Sequence, residues 1–215
     1  NANYLAALPG DDRLFVASDR YLSPGAVYGC TISATGQVHR VSQRSAHGQA
    51  VCHVALDSTG SIVVVSSYMD GKISVHRARG ASLEPASSVW EYEGRSVNQA
   101  RQESAHAHQA VFSPDGLYLY VCDLGSDRIW IHDTRDLTKP PQHAEVLPGH
   151  GPRHLVCHPS QPYVYVICEL SAHIMTYRRE PSGQLVFHGQ LLTLPKNRSE
   201  EHTSELQSPC NLVCR

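Results

Sequence analysis

The sequence is poor in the features that mark several common classes of protein. No apolar run approaches the roughly 18 residues of a membrane-spanning helix. No stretch carries a clean 3.6-residue apolar stripe over ten or more residues, so little helix is expected. Neither sign of charge dominates, with 18 basic residues against 20 acidic ones. That balance gives no nucleic-acid surface and no acidic tail. The cysteines lack CxxC spacing, which removes the commonest zinc and redox signatures. The first residue is Asn1, not Met, so the region of a signal peptide is not represented.

What is present is a repeat. His106–Asp133 reads HAHQAVFSPDGLYLYVCDLGSDRIWIHD. Its centre, Ser113-Pro114-Asp115-Gly116, has the composition of a type I turn. Leu117–Cys122 then runs apolar at every position, as a strand covered on both faces does. His53–Arg77 and His154–Arg178 follow the same pattern, and a weaker copy starts at Tyr4. Taken from Tyr4, His53, His108 and His154, the residues fifteen further on are Asp19, Tyr68, Asp123 and Glu169. The starts His53, His108 and His154 lie 55 and 46 residues apart. Each unit has room for about four short strands. Such periods predict an all-β fold, a β-propeller of four-stranded antiparallel blades. Ile62–Ser66 reads as the inner strand of the second blade, and Arg79–Glu103 as a loop-rich insertion with one outer strand. Ile62–Ser66, Leu117–Cys122 and Tyr163–Ile167 are expected to be buried at equivalent positions.

The end of the chain departs from this pattern. Arg198–Ser208, RSEEHTSELQS, matches at all eleven positions one translated frame of a common sequencing-library adapter. Residues 1–197 are therefore expected to form the propeller domain, and 198–215 a non-native tail. Asn197-Arg198-Ser199 straddles that junction and is set aside as a glycosylation signal. Cys210 and Cys214 go with the tail. Cys30, Cys52, Cys122, Cys157 and Cys168 remain, an odd set expected to be reduced and buried in a cytoplasmic protein.

The third and fourth repeats resemble the lactonase family of seven-bladed propellers. That family includes the bacterial type of 6-phosphogluconolactonase and a fungal carboxy-muconate cyclase. The residues carrying the likeness are His106-Ala107-His108, Asp123 to Ile129, Gly151-Pro152-Arg153-His154 and Glu169-Leu170. Ser67-Tyr68 and Gly71 to Val75 extend it into the second repeat. The resemblance implies a partial propeller, about four of seven blades, and hydrolysis of a sugar lactone, foremost 6-phosphogluconolactone. It implies no metal and no cofactor, and a small-molecule lactone as partner, without nucleic acid or membrane. Lactone formation by a muconate-type cyclase and a non-catalytic interaction propeller are the competing readings. Against the last, no blade ends in Trp-Asp. The chain alone need not be active, because absent blades would supply part of the pocket.

The resemblance points to His108, Arg153 and Glu169 as catalytic, and to His106, Asp123 and His154 as substrate-binding. The chemistry fits. Opening a lactone needs a base for the attacking water, which a His or Glu supplies. It also needs a positive group where the carbonyl oxygen becomes negative. A guanidinium grips phosphate or carboxylate in a two-pronged fork that lysine lacks. The choice of base between His108 and Glu169 stays open. Plainer readings stand beside each residue. His106 and His108 could be a metal pair, although no third ligand appears at a recognisable spacing. His53, His108 and His154 could share one structural hydrogen bond between blades. Arg153 could stack over a turn, or close a purely structural ion pair with Glu169.

Overall fold

The computed structural model describes residues 2–20 and 23–194, so the tail expected at 198–215 lies outside the described residues. Among the described residues, sixteen strands form four antiparallel sheets of four. The first holds β1 (Ala2–Ala6), β2 (Arg13–Arg20), β3 (Ser23–Ile32) and β4 (Val38–Ser45). The second holds β5 (Val51–Leu56), β6 (Ile62–Ser67), β7 (Lys72–Arg79) and β8 (Ser82–Glu91). The third holds β9 (Ala107–Phe112), β10 (Tyr118–Asp123), β11 (Arg128–Asp133) and β12 (Gln142–Glu145). The fourth holds β13 (Pro152–Cys157), β14 (Tyr163–Cys168), β15 (His173–Arg179) and β16 (Leu185–Leu192). Strands pair in chain order, so each sheet is a meander built from local turns. The one helical turn among the described residues, Thr134–Asp136, is capped by the Asp133 carboxylate.

The sheets stack as propeller blades around their first strands. β1 packs on β5, β5 on β9 and β9 on β13. That corrects one expectation: Ile62–Ser66 belongs to β6, the second strand, and β5 is innermost. A continuous apolar run marks a strand covered by blades on both sides, not the strand nearest the axis. One apolar cluster fills each gap between neighbouring blades. Between the third and fourth, the buried hydroxyls of Tyr120 and Tyr177 donate across the gap to the carbonyls of Gly183 and Glu145, at 2.9 and 3.1 Å. Gly183 has a φ of 82°, and a Cβ there would meet the Tyr118 ring at 2.4 Å, so only glycine fits. β6 and β10 are buried almost throughout, as expected, but Leu117, expected to open the buried run, precedes β10 and is exposed. β14 is not buried throughout: Ile167 is 42% exposed, and Tyr163 and Tyr165 are half-buried. Among the described residues no further blade covers that side.

The turns fix the true register of the repeat. The amides of Asp57, Ser113 and His158 donate to the carbonyls of Ile62, Tyr118 and Tyr163. Leu8, Asp57 and Ser113 each accept the amide three residues on. These residues are therefore equivalent. His53 lies four residues before Asp57 and His154 four before His158, but His108 lies five before Ser113. His108 does not share a position with His53 and His154; Gln109 does. The equivalents of His108 are Asn3, Cys52 and Arg153. The single-residue offset matters because it turns a strand side chain to the opposite face.

Candidate active site

Each inner strand carries a register shift at its start. It falls between Ala2 and Tyr4, between Val51 and His53, within 107–110, and between Pro152 and His154. The extra residue is Asn3, Cys52 or Arg153, and in β9 the shift takes in His108. A bulge re-aims the side chain it carries. Asn3 Nδ2 donates to the Val51 carbonyl of the next blade at 2.7 Å. Cys52 Sγ points at the His108 carbonyl of the blade after that, at 3.3 Å. The His108 ring meets the edge of His154 on the fourth blade, with centroids 5.0 Å apart. Arg153 Nη1 donates to Glu169 Oε2 at 2.6 Å.

A second set of equivalent positions follows each second strand. The amides of Tyr68, Leu124 and Glu169 donate to the carbonyls of Ala50, His106 and Gly151. Leu124, not Asp123, thus matches Glu169. Asp123 is the last residue of β10 and is fully buried. Its Oδ1 accepts the amides of His106, Gly125 and Ser126, and its Oδ2 accepts Ser126 Oγ and Trp130 Nε1. With both oxygens engaged inside its own blade, Asp123 shapes the turn and does not reach the cluster around Glu169.

Glu169 is gripped from two blades. Arg153 holds Oε2, and Arg101 Nη2 holds Oε1 at 2.7 Å. Arg101 Nη2 also lies 3.4 Å from the Tyr68 hydroxyl. The side chains grade outward, from Glu169 at 9% exposed and Arg153 at 12% to Arg101 at 41%. Arg101 was not singled out from the sequence. It sits in the loop after β8, which has no counterpart in the other blades, so periodicity carried no signal for it. The loop is nevertheless well anchored. The buried Gln102 donates Nε2 to the Leu124 carbonyl at 2.9 Å, and the amides of Arg101 and Gln102 both donate to Asn98 O.

His106 stacks flat on Tyr68, with centroids 4.4 Å apart and planes within 7°. Its ring nitrogens face the Tyr68 carbonyl at 3.0 Å and Glu103 Oε1 at 3.2 Å. His106 and His108 therefore do not act as a matched pair: one is tied to the wall, while the other lies among the charged groups. Burial, with the charges of Arg153, His154, His53 and Arg101, pushes His108 well below the ordinary histidine value. His154 is lowered to about 4 and His53 to about 3, in both cases chiefly by burial. All three imidazoles are neutral at pH 7. Hydrogen bonds to Tyr68 and Glu169 outweigh burial at Arg101 and raise its value. Two guanidiniums meet on the one Glu169 carboxylate, and Glu103, held low first by its own backbone amide, lies close enough to Arg101 to be lowered by its charge as well.

The loop entering β13 is clipped to the third blade. Asp127, at a φ of 52°, accepts the amides of Gly149 and Gly151 at 2.6 Å each, and its carbonyl accepts Val146 N at 2.9 Å. Arg153 is two residues beyond that clip. His108, Arg153, Glu169 and His154 thus come together, with Arg101 added and Asp123 apart.

The description "Lactonase, 7-bladed beta-propeller" matches residues 1–209 of this sequence. The chain belongs to the lactonase family. Among its relatives, the 6-phosphogluconolactonase of Bacillus subtilis is 31% identical over 69% of this chain and 43% of its own length. That of Formosa agariphila is 26% identical over 82% of this chain and 53% of its own. The periplasmic gluconolactonase of Pseudomonas aeruginosa superposes with a TM-score of 0.83 at 26% identity, over 93% of this chain and 59% of that one. This lactonase chain therefore spans about half the length of the curated relatives it matches.

Proposed function

We propose that these blades carry the reactive half of a sugar-lactone hydrolase, acting foremost on 6-phosphogluconolactone to give 6-phosphogluconate. The carrying observation is a buried, neutral His108 beside the Arg153–Glu169 pair, on adjacent blades. The same pair supports His108 as the base. Each Glu169 oxygen is already held by a guanidinium, which favours its ionised form as a clamp for Arg153 over a role as proton acceptor. His108 is uncharged and keeps a lone pair. Its Nδ1 is buried and has no hydrogen-bond partner among the described residues.

In this reading a water attacks the lactone carbonyl carbon while His108 accepts its proton. The carbonyl oxygen becomes negative against Arg153, which Glu169 holds in place. When the intermediate collapses, the ring C–O bond breaks and the imidazolium returns its proton to the departing ring oxygen. The product is the open hydroxy acid. His154 and His106 wall the substrate. The five free thiols at Cys30, Cys52, Cys122, Cys157 and Cys168 fit a reducing compartment, the cytoplasm. In a seven-bladed protein carrying these four blades, His108→Ala should lower kcat for lactone opening about 10²–10⁴-fold. Unchanged turnover in that variant would remove the assignment.

A further inference from the structure

Arg101 is the residue around Glu169 that the hydrolytic steps leave unused. Among the described residues its side-chain hydrogen bonds both run through Nη2, to Glu169 and Tyr68. Nη1 and Nε have no partner among the described residues. The side chain is also the most exposed of the three in the charge cluster, at 41%. It therefore lies outward of Arg153, on the loop that Gln102 pins to Leu124. Leu124 fills the third blade's copy of the position held by Glu169 and offers no charge, and Arg101 reaches Glu169 from the neighbouring loop. A planar guanidinium with unused donors matches a phosphoryl or carboxylate group.

We propose that Arg101 is the specificity residue of this site: it binds an oxyanion substituent of the substrate remote from the lactone carbonyl, leaving Arg153 for the carbonyl oxygen. The identity of the substrate's ring rests on the lactonase reading, but the recognition step is tested apart from turnover. Three sugar acids differ only at carbon 6: gluconate carries an alcohol there, glucarate a carboxylate and 6-phosphogluconate a phosphate. Their dissociation constants are measured by calorimetry on a seven-bladed protein carrying these blades, as wild type, Arg101→Gln and Arg101→Lys.

The expected result is a preference for one or both carbon-6 anions over gluconate, falling about tenfold or more in Arg101→Gln. Arg101→Lys should restore part of it, since charge returns without the fork. Whichever anion loses its preference names the substituent. If Arg101→Gln weakens all three acids equally, Arg101 only steadies Glu169, and the proposal fails. If no preference changes, it fails outright. Should the wild type hydrolyse neither a phosphorylated nor a plain sugar lactone while these preferences still shift, the lactonase reading falls and the anion site stands.

Discussion

Asn3 and Cys52 occupy the same bulged backbone position as His108 and Arg153, and the two pairs are used differently. In the first two blades the bulged side chain reaches forward to a backbone carbonyl of the following blade. It staples one inner strand to the next. In the third and fourth blades the position carries an imidazole and a guanidinium, which meet other side chains instead. The neighbouring set divides differently: Leu124 of the third blade is inert and buried, while Glu169 of the fourth is charged and held by two arginines. The backbone device is generic, and the chemistry is a local substitution upon it. A blade fold thus offers several aimed positions, and only some of them carry side chains able to do acid–base or anion chemistry.

That division can be broken most sharply at Arg153. In a seven-bladed protein carrying these blades, Arg153→Lys should lower the rate by about 10²–10³-fold if the guanidinium meets the oxyanion. The loss should fall in kcat; a loss confined to KM would make Arg153 a substrate grip. His188→Ala, on the outer strand β16, serves as the control and should leave both constants unchanged. Wild-type rates in both Arg153→Lys and Glu169→Gln would reduce the cluster to a structural ion pair.

The residues beside the bulge, His53, Gln109 and His154, sharpen the comparison through pH. His53, His132 and His154 are lowered, mainly by burial, to about 3, 4 and 4 from the usual 6.5. Between pH 6.5 and 4 the unfolded chain binds protons there that the folded chain refuses. Stability should therefore be full above pH 6.5, decline as pH falls toward 4 and level off once the folded form also protonates. The three together imply a total on the order of 10 kcal/mol at full effect. Asp133, held down to about 2 by Arg135, affects stability only at lower pH, and Glu103, held below its ordinary 4.5, enters only in the lower part of the window, so the upper part isolates the histidines. Urea titrations across that range measure the slope. His53→Gln, which installs the third blade's residue, should flatten it in part; an unchanged slope would contradict the burial argument.

Asn3→Ala removes a staple and no chemistry. It should lower stability by about 1 kcal/mol, the usual worth of such a hydrogen bond, while lactone turnover is unchanged. A fall in turnover equal to that of a catalytic variant would erase the distinction between the two pairs of blades. The smallest effect is expected at the far end. Stopping the chain after Asn197 should change unfolding free energy by less than about 0.5 kcal/mol, since nothing of 198–215 is expected to pack on the blades. A larger loss would make those residues part of the domain, an outcome the family match through residue 209 keeps open to measurement.

Much of the fold was legible because local chemistry and repeat agree. The Ser113–Gly116 turn, the apolar run after it and the period together specify antiparallel blades, and each turn closes by the hydrogen bond its sequence implies. The Arg153–Glu169 pairing was legible as well, since a carboxylate ending an apolar strand requires a partner. The one-residue error at His108 arose from aligning histidines. The turns at Asp57, Ser113 and His158 are fixed by backbone hydrogen bonds, whereas a side chain can slide past a bulge. The same slip moved Asp123 into Glu169's place. Arg101 left no trace in the repeat because its loop occurs once.

The Asp127 clip bears on how such a site could be passed between proteins. Repeats invite exchange of whole blades by duplication and recombination. Here the fourth blade taken alone would carry Arg153 and Glu169 but leave behind the carboxylate that holds the 149–151 loop in shape. A piece that keeps the clip together with the pair it positions must run at least from Asp127 to Glu169, and one that also keeps His108 and Arg101 must start earlier still, in the loop after β8. Descent of the chemistry and descent of the architecture then follow different units of inheritance.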